Sequence, residues 1–289
     1  MKKILYLFFT IANVITISAQ TINWSKTNSN VKADSIAKEI FEPVQYLITY
    51  NYTYVRDVNF PDDKREGLTI LQVGNRYNRF CDFNELRFDS ICDETARGHL
   101  SVNEASPLML SALKYVRFNE SIVIDKQTNQ ITIQRTAGLK TKRYQYSENN
   151  PTLEWAIQEG DTIIAGYQCK KAKTRLFGRD YIAWYSPEIN MPYGPYKFNG
   201  LPGLILKVTD TDGYFDFMLN GFQKADKYSP IYMWNNKDII KTTRKKVRQI
   251  YKNYCADPVS ALASSGNVRI PDNVKATVEP KPYNPIELE

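Results

Sequence analysis

The chain has 289 residues, of which 43% are hydrophobic and 13% aromatic, and its formal net charge is +7. This composition is too apolar for a chain that is disordered throughout, and the length suits one large domain or two ordinary ones. A nucleic-acid-binding domain usually concentrates its cations in one patch, and the modest charge here gives little reason to expect one. We therefore expect a folded protein with a packed core and no nucleic-acid partner.

The first 19 residues have the features of a secretory signal peptide. Lys2 and Lys3 form a basic start, an apolar run extends from Ile4 to Ile17, and Ser18-Ala19 offers small residues for cleavage. The apolar run is shorter than the about 20 residues that a membrane-spanning helix needs, and no later run is long enough. No cysteine follows it, which argues against a lipid anchor. We expect export to the periplasm, the outer membrane or the exterior, with a mature charge of +5.

The predicted elements begin after a loose segment at residues 20–29. A short helix is predicted over Asp34–Phe41, where apolar residues recur at helical spacing before a proline. From Gln45 to Asp57 the period changes to two, which indicates a long strand with one apolar or aromatic face. Short strand patterns then recur as far as residue 225, with irregular or helical stretches at 84–98 and 106–116. Strands at such spacing indicate an antiparallel sheet, a sandwich or an open barrel.

A glycine-rich turn at residues 200–203 separates two strand patterns near the middle of the chain. Pro202 has the φ that the second position of a type II turn requires, and Gly203 supplies the positive φ of the third position. The apolar run Leu204–Val208 predicts a buried strand. Asp210–Gly213 then predicts a hairpin loop, with Gly213 in the left-handed conformation.

The same region resembles the GLPGLI family of secreted Bacteroidota proteins. The likeness rests on the hexapeptide at Gly200–Ile205 and on the stretches Gly166–Ala172 and Ala183–Ile189. The ending Tyr283–Glu289 also resembles endings in that family. The resemblance spans roughly residues 150–225 together with this ending. Because the family is uncharacterised, the resemblance implies no catalytic or ligand-binding residues.

The C-terminal third changes from strand to helix patterns. A helix is predicted over Lys237–Tyr254, with Asn236 as its N-cap and an apolar stripe at helical spacing. The opposite face is basic and carries Lys237, Lys241, Arg244, Lys245, Lys246, Arg248 and Lys252. Such a helix packs by its apolar stripe, and its basic face suits an anionic partner or membrane surface. Residues 256–289 are expected to be an extended tail whose Ile286 and Leu288 alternate as in an edge strand.

Four cysteines are present, and an oxidising compartment allows them to pair. Cys81 with Cys92 is the local pairing and leaves Cys169 with Cys255, and two other pairings exist for four cysteines. Free buried thiols are the alternative, because a chain of this size does not need disulfides for stability.

The sequence lacks the residue sets of common catalytic and metal sites. His99 is the only histidine, so a Ser-His-Asp or Cys-His mechanism must use it, and its surroundings predict a solvated loop. The cysteines lack the spacing of zinc ligands. Asp210-Thr211-Asp212-Gly213 begins like a calcium loop but lacks the later carboxylates. No phosphate-binding glycine pattern occurs. We predict no catalytic set, no metal and no cofactor.

The densest group of aromatic residues lies beside the glycine-rich turn, among four prolines. One interpretation is hydrophobic core with stiff loops. The other is a rigid aromatic groove for a ligand. The candidate ligand-binding residues are Trp184, Tyr185, Tyr193, Tyr196, Phe198 and Leu201.

These observations predict a mainly β (α+β) protein, with a strongly curved antiparallel sheet or open barrel, a few helices and one principal domain at 30–255. The predicted function is an exported, non-catalytic binding module for a peptide, a glycan, a lipid or a protein of the cell envelope. Two alternatives remain at this point. One is a hydrolase that uses carboxylates, and the other is an assembly factor for outer-membrane machinery.

Overall fold

The computed structural model describes residues 35–136, 143–263 and 278–289. The predicted signal peptide, the loose segment at 20–29 and part of the predicted tail lie outside these residues. The described strands are β1 Lys38–Pro43, β2 Tyr46–Val55, β3 Lys64–Val73, β4 Tyr77–Asp82, β5 Glu120–Asp125, β6 Gln130–Thr136, β7 Arg143–Asn149, β8 Ala156–Ile164, β9 Tyr167–Leu176, β10 Arg179–Ser186, β11 Leu204–Asp210, β12 Phe215–Lys224, β13 Pro230–Trp234 and β14 Ile239–Lys241. The described helices are α1 Phe83–Arg97, α2 Val102–Lys114, α3 Arg244–Ala256 and α4 Pro258–Ala263.

One 12-stranded sheet dominates the molecule, in the order β14-β7-β6-β5-β4-β3-β2-β12-β11-β10-β9-β8. Neighbouring strands are antiparallel except at one edge, where β14 runs parallel to β7. The sheet is open, with β14 and β8 as its two edges, so it does not close into a barrel. A separate ribbon pairs β1 with β13. The prediction of a mainly β protein with a large, largely antiparallel sheet and a few helices is confirmed.

The sheet curves around a single large core on its inner face. Strand alternation aligns Leu71, Phe80, Ile122 and Ile133 directly opposite one another on β3 to β6. In the other half, a second aligned row crosses β2, β12, β11, β10 and β9 and consists of Tyr52, Phe217, Val208, Ala183 and Ala172. Both rows belong to one hydrophobic cluster. Strands far apart in the sheet order therefore share one core, because the sheet is strongly curved.

A second layer covers the outer face of β4 to β6. The guanidinium carbon of Arg79 on β4 lies 4.0 Å from the ring centre of Tyr232 on β13. The Nε2 of Gln134 on β6 donates to the carbonyl of Trp234 at 2.7 Å. In α1, Asp89 accepts from the hydroxyl of Tyr232 at 2.7 Å and from the indole of Trp234 at 2.9 Å. Polar contacts thus join the β1–β13 ribbon and α1 to the sheet.

Asp82 fixes the entry of α1. It is the N-cap, accepting from the N–H of Asn84 at 2.8 Å, and it also accepts from the N–H groups of Arg117 and Phe118. Burial raises the pKa of Asp82 to about 6, although the backbone donors oppose the shift. The folded pKa lies above the unfolded one, so the stabilisation linked to the bound proton is present at low pH and is lost as pH rises through about 6.

We predict that the Asp82→Asn variant lacks this part of the pH dependence, because the amide does not titrate. The wild-type free energy of unfolding should fall by roughly 2–3 kcal/mol between pH 4 and pH 7 through this carboxyl alone. Urea unfolding of both chains at pH 4, 5, 6 and 7 measures the difference, in which the contributions of other titrating groups cancel. Parallel curves for the two chains would contradict the prediction.

Three sequence-based boundaries are wrong. Residues 38–43 are a strand instead of part of a helix, since pairing with β13 outweighs a short helical pattern. The basic helix begins at Arg244 with Thr243 as its N-cap, because residues 239–241 pair with β7 as β14. Residues 278–289 contain no strand. The predicted strands at 45–57 and 204–208 are confirmed, and Gly213 has a φ of 72° as expected.

None of the predicted disulfides is present, and all four cysteines are buried free thiols. Cys92 packs in the cluster between α1 and α2, whereas Cys169 belongs to the core of the inner face. Burial raises the pKa of Cys81 and of Cys92 to about 12. The structure therefore agrees with the alternative of inert buried thiols.

Candidate functional site

Residues 187–203, which we name the crossing loop, connect β10 to β11 and pass over the inner face of the sheet. The ring of Tyr196 meets Phe118 edge-on at 6.0 Å between ring centres, and Phe198 meets Tyr181 at 4.8 Å. Lys126, in the β5–β6 hairpin, places its ammonium 5.0 Å from the ring centre of Tyr193. The loop thus joins the two halves of the curved sheet.

The glycine-rich turn ends the crossing loop, and its geometry differs from the predicted type II turn. The N–H of Gly203 donates to the carbonyl of Leu201 at 2.8 Å, which closes a three-residue γ-turn around Pro202. The N–H of Leu204 is used elsewhere and donates to Ile189 at 3.0 Å. Gly203 has a φ of 147°, and a Cβ there would lie 2.1 Å from the carbonyl oxygen of Ser186. Close approach of two backbones, more than turn type, explains this glycine.

Four of the six candidate ligand-binding residues are part of the core. Tyr185, Tyr196, Phe198 and Leu201 are each at most 3% exposed. Their side chains pack within the hydrophobic cluster of the inner face. In this conformation they support the crossing loop and offer no surface to a ligand.

The other two candidates are half-buried and lie apart from each other. Trp184 is next to Tyr185 in β10, so its side chain points to the outer face of the sheet. There it lies between Lys171 on β9 and Lys207 on β11, its direct cross-strand neighbours. Tyr193 remains in the crossing loop beneath Lys126. The structure does not bring the six residues together into one groove.

Residues 281–289, which we name the docked segment, lie on the inner face beside α3 and the crossing loop. The segment makes no strand pairing, and side chains of the sheet bind its carbonyls instead. The hydroxyl of Tyr181 donates to Ile286 at 3.2 Å, and Arg179 donates to Pro285 at 2.9 Å. The N–H of Leu288 donates to Phe177 at 2.8 Å. The predicted edge strand is therefore replaced by a peptide held in an extended groove.

Glu287 is the charged anchor of the docked segment. Its carboxylate accepts from Lys197 at 2.7 Å and from Arg244 at 2.9 Å, and the hydroxyl of Tyr196 also donates to it. Lys197 is 0% exposed and makes a second ion pair with Glu148 at 2.8 Å. Burial raises the pKa of Glu287, but the charges of Lys197 and Arg244 outweigh burial and hold that pKa below its usual value. The glutamate is therefore ionised at neutral pH.

Arg179 is the second charged contact with the segment, and its side chain is 4% exposed. It pairs with Asp210 at 3.1 Å and donates to the Asn284 side-chain oxygen at 2.6 Å. The Asn284 amide in turn donates to the carbonyl of Val55 at 2.8 Å. The sheet therefore recognises an asparagine and a glutamate three residues apart.

Next to the docked segment lies a broad open cavity of about 990 Å³, which we name the α3 basin. Its lining residues come from one face of α3, from the rim of the sheet and from the docked segment: Val58, Glu148, Arg179, Asp212, Tyr214, Thr243, Arg244, Lys245, Arg248, Gln249, Lys252, Tyr283, Asn284, Pro285, Leu288 and Glu289. None of the six candidate residues from the sequence lines it.

The α3 basin has more cationic than anionic side chains. Five arginines and lysines face three carboxylates, and four of the five cations lie on α3. Lys245 and Lys252 are exposed, and within the described residues neither has an ion-pair partner. The Nε of Arg248 is buried without a hydrogen-bond partner among the described residues. No acidic residue occurs in the first turn of α3, so the positive helix end adds to these charges. The basin is built for an anion.

Sequence reasoning found some of these residues and missed others. The basic face of the predicted helix includes the four α3 cations of the basin. Arg179, Lys197 and Glu287 were missed, because each resembles an ordinary surface charge until the fold buries it. The resemblance of the ending to endings in a known family was the available indication that the segment is structured.

The fold and the basin define a sheet-dominated α+β protein with a cationic cavity. A family described as a protein of unknown function (Porph_ging) matches residues 177–207, which span β10, the crossing loop and the start of β11. No curated protein matches this chain. In the described part of the chain, no helix has the length and apolarity needed to cross a bilayer, and no three metal-ligating side chains are grouped to hold an ion.

Several solved structures are similar in part. PNGF-II in space group P21 aligns with a TM-score of 0.45 at 14% identity, covering 73% of this chain and 34% of that one. PNGF-II in space group C2 gives 0.47 and 15%, with 73% and 33% covered. An uncharacterized conserved protein from Thermus thermophilus gives 0.32 and 9%, with 69% and 91% covered. This chain thus spans about a third of the PNGF-II chains. Likenesses of this strength leave the function to the chain's own residues.

Proposed function

We propose that this protein is an exported, non-catalytic binding protein and that the α3 basin binds an acidic oligosaccharide. The observation that carries the proposal is the unpaired cationic charge of Lys245, Lys252 and Arg248 in the largest described cavity. Export by the signal peptide at 1–19, membership of the GLPGLI family and a principal domain at 30–255 are parts of the same proposal.

The shape and lining of the α3 basin favour a sugar polymer. A volume of about 990 Å³ in an open depression accommodates several linked rings. Tyr214 and Tyr283 offer aromatic surface and hydroxyls at the walls. Carboxylates spaced along the ligand would meet lysines spaced along one helix face.

The carboxylate-hydrolase alternative has less support. Glu148 and Glu287 do come together, but both accept from the same Lys197 ammonium, at 2.8 and 2.7 Å. The pKa of Glu287 is lowered, whereas a general acid needs a raised one. The pair therefore supports the docked segment better than it supports proton transfer. The assembly-factor alternative would favour a large apolar patch, and the basin is charged.

We predict that the Lys245→Ala/Lys252→Ala variant binds a polyuronate oligosaccharide about 5- to 30-fold more weakly than wild type, because two solvent-exposed charge contacts are lost. Isothermal titration at low and at physiological ionic strength measures the loss, which should shrink with salt. A neutral oligosaccharide of equal length should bind weakly to both chains.

Lys241→Ala/Lys246→Ala is the matched control, since it removes the same charge from exposed lysines that do not line the basin. Equal losses in the two double variants would mean that net charge alone attracts the ligand, and the proposed site would be wrong. Binding of phosphatidylglycerol vesicles in preference to the oligosaccharide would assign the basin to a lipid surface instead.

A further inference from the structure

The docked segment is attached to the rest of the chain by few, peptide-like contacts. Only Ile286 and Glu287 are buried, and Leu288 is 50% exposed. It makes no strand pairing, and its carbonyls are bound by side chains at Pro285, Ile286 and Glu287. This is how protein grooves recognise extended peptides, with pockets for a few residues and hydrogen bonds to the backbone.

The groove beneath the segment is a complete receptor for this sequence. Arg179 reads Asn284, the core receives Ile286, and Lys197 with Tyr196 and Arg244 receives Glu287. Without the segment, Lys197 would retain only Glu148 as a described ion-pair partner. A fully buried ammonium flanked by tyrosine and arginine then selects a second carboxylate.

We propose that this groove binds the same segment from a second copy of the chain, so that two copies exchange residues 281–289. The chain's own segment is the one occupant whose chemistry the structure defines, which is why we infer a second copy in preference to another partner. The exchange replaces each contact by an identical one, and such swapping therefore costs little beyond association. The groove is distinct from the α3 basin, and its ligand is a peptide.

The first test uses a fluorescent peptide of residues 280–289 and the full-length Glu287→Ala chain. This variant keeps the groove and weakens its own segment. We expect saturable binding by fluorescence anisotropy, and at least about 10-fold weaker binding to the wild-type chain, whose tethered segment competes at high effective concentration. A peptide with alanine in place of its glutamate should bind at least about 10-fold more weakly than the parent peptide.

The second test asks for exchange between copies. Glu287→Ala chains have an intact groove and a defective segment. Arg244→Ala/Arg248→Ala chains have an intact segment and a weakened groove, and these two arginines are only partly buried, so folding should survive. A mixture can restore the Glu287 contacts only between chains. We expect a 1:1 heterodimer by size exclusion with light scattering, and none when both chains carry Glu287→Ala.

Failure of the peptide to bind the Glu287→Ala chain would overturn the groove as a peptide receptor. Peptide binding without a heterodimer, at concentrations well above the peptide Kd, would overturn the exchange between copies. Neither result bears on oligosaccharide binding in the α3 basin, which is measured on the wild-type chain with a different ligand.

Discussion

Replacing Gly203 by alanine is expected to lower the free energy of unfolding by about 4 kcal/mol or more, the range in which a single substitution prevents folding at 37 °C. The added Cβ would lie 2.1 Å from the carbonyl oxygen of Ser186 and 2.9 Å from the Cα of Pro187. Both neighbours are backbone, so a side-chain rotation cannot relieve the clash. The φ of 147° is also unfavourable for alanine.

Urea unfolding followed by circular dichroism, or the soluble yield where the variant does not fold, measures this effect. Gly213→Ala is the matched control, because Gly213 also has a positive φ, 72°, but nothing lies within 4 Å of its added Cβ. It should cost only about 1–2 kcal/mol, the cost of a left-handed alanine. A Gly203→Ala chain as stable as the control would show that the approach of the two backbones is not a constraint on the fold.

The elements that could be predicted from the sequence are those whose pattern is local. The alternation at 45–57 predicts β2, and the apolar run with its hairpin glycine predicts β11 and the turn into β12. Predictions failed where pairing with distant residues decides the structure. The strand β1 exists because β13 pairs with it, and the parallel partner of β14 is β7, nearly a hundred residues earlier.

The candidate site depends even more on distant contacts. Lys197 and Glu287 are 90 residues apart in sequence, and neither has a neighbour pattern that predicts burial of the other. Trp184 and Tyr185 were grouped as one aromatic wall, but adjacent residues of a strand lie on opposite faces. The basic face of α3 was predictable, because helical spacing alone determines which cations share a face.

The crossing loop and the docked segment stabilise each other. The loop carries Tyr196 and Lys197, the segment carries Glu287, and the carboxylate accepts from both. The two also complete the wall of the α3 basin, because Arg244 binds Glu287 from the first turn of α3. A change at Lys197 should therefore alter the docked segment before it alters the distant edges of the sheet.

The Lys197→Met variant should lose about 3–5 kcal/mol of the free energy of unfolding at pH 7, because methionine fills the space but leaves two carboxylates without their shared buried cation. Glu148 and Glu287 would then repel each other across a site from which water is excluded. Lys246→Met is the control, since Lys246 is exposed on α3 and its replacement should change the free energy by no more than about 0.5 kcal/mol.

The pH dependence separates this explanation from simple loss of packing. The folded pKa of Glu287 is lowered in the wild type, so its stabilisation is present above the unfolded pKa, about 4.5, and is lost as pH falls through the folded value. Without Lys197 the main cation that lowers this pKa is gone, so the docked segment should come loose at a higher pH in the variant. Limited proteolysis between pH 3 and pH 7 follows release of the segment. Identical release profiles for wild type and Lys197→Met would show that Lys197 contributes packing and not charge, because a neutral side chain of similar volume would then hold Glu287 equally well.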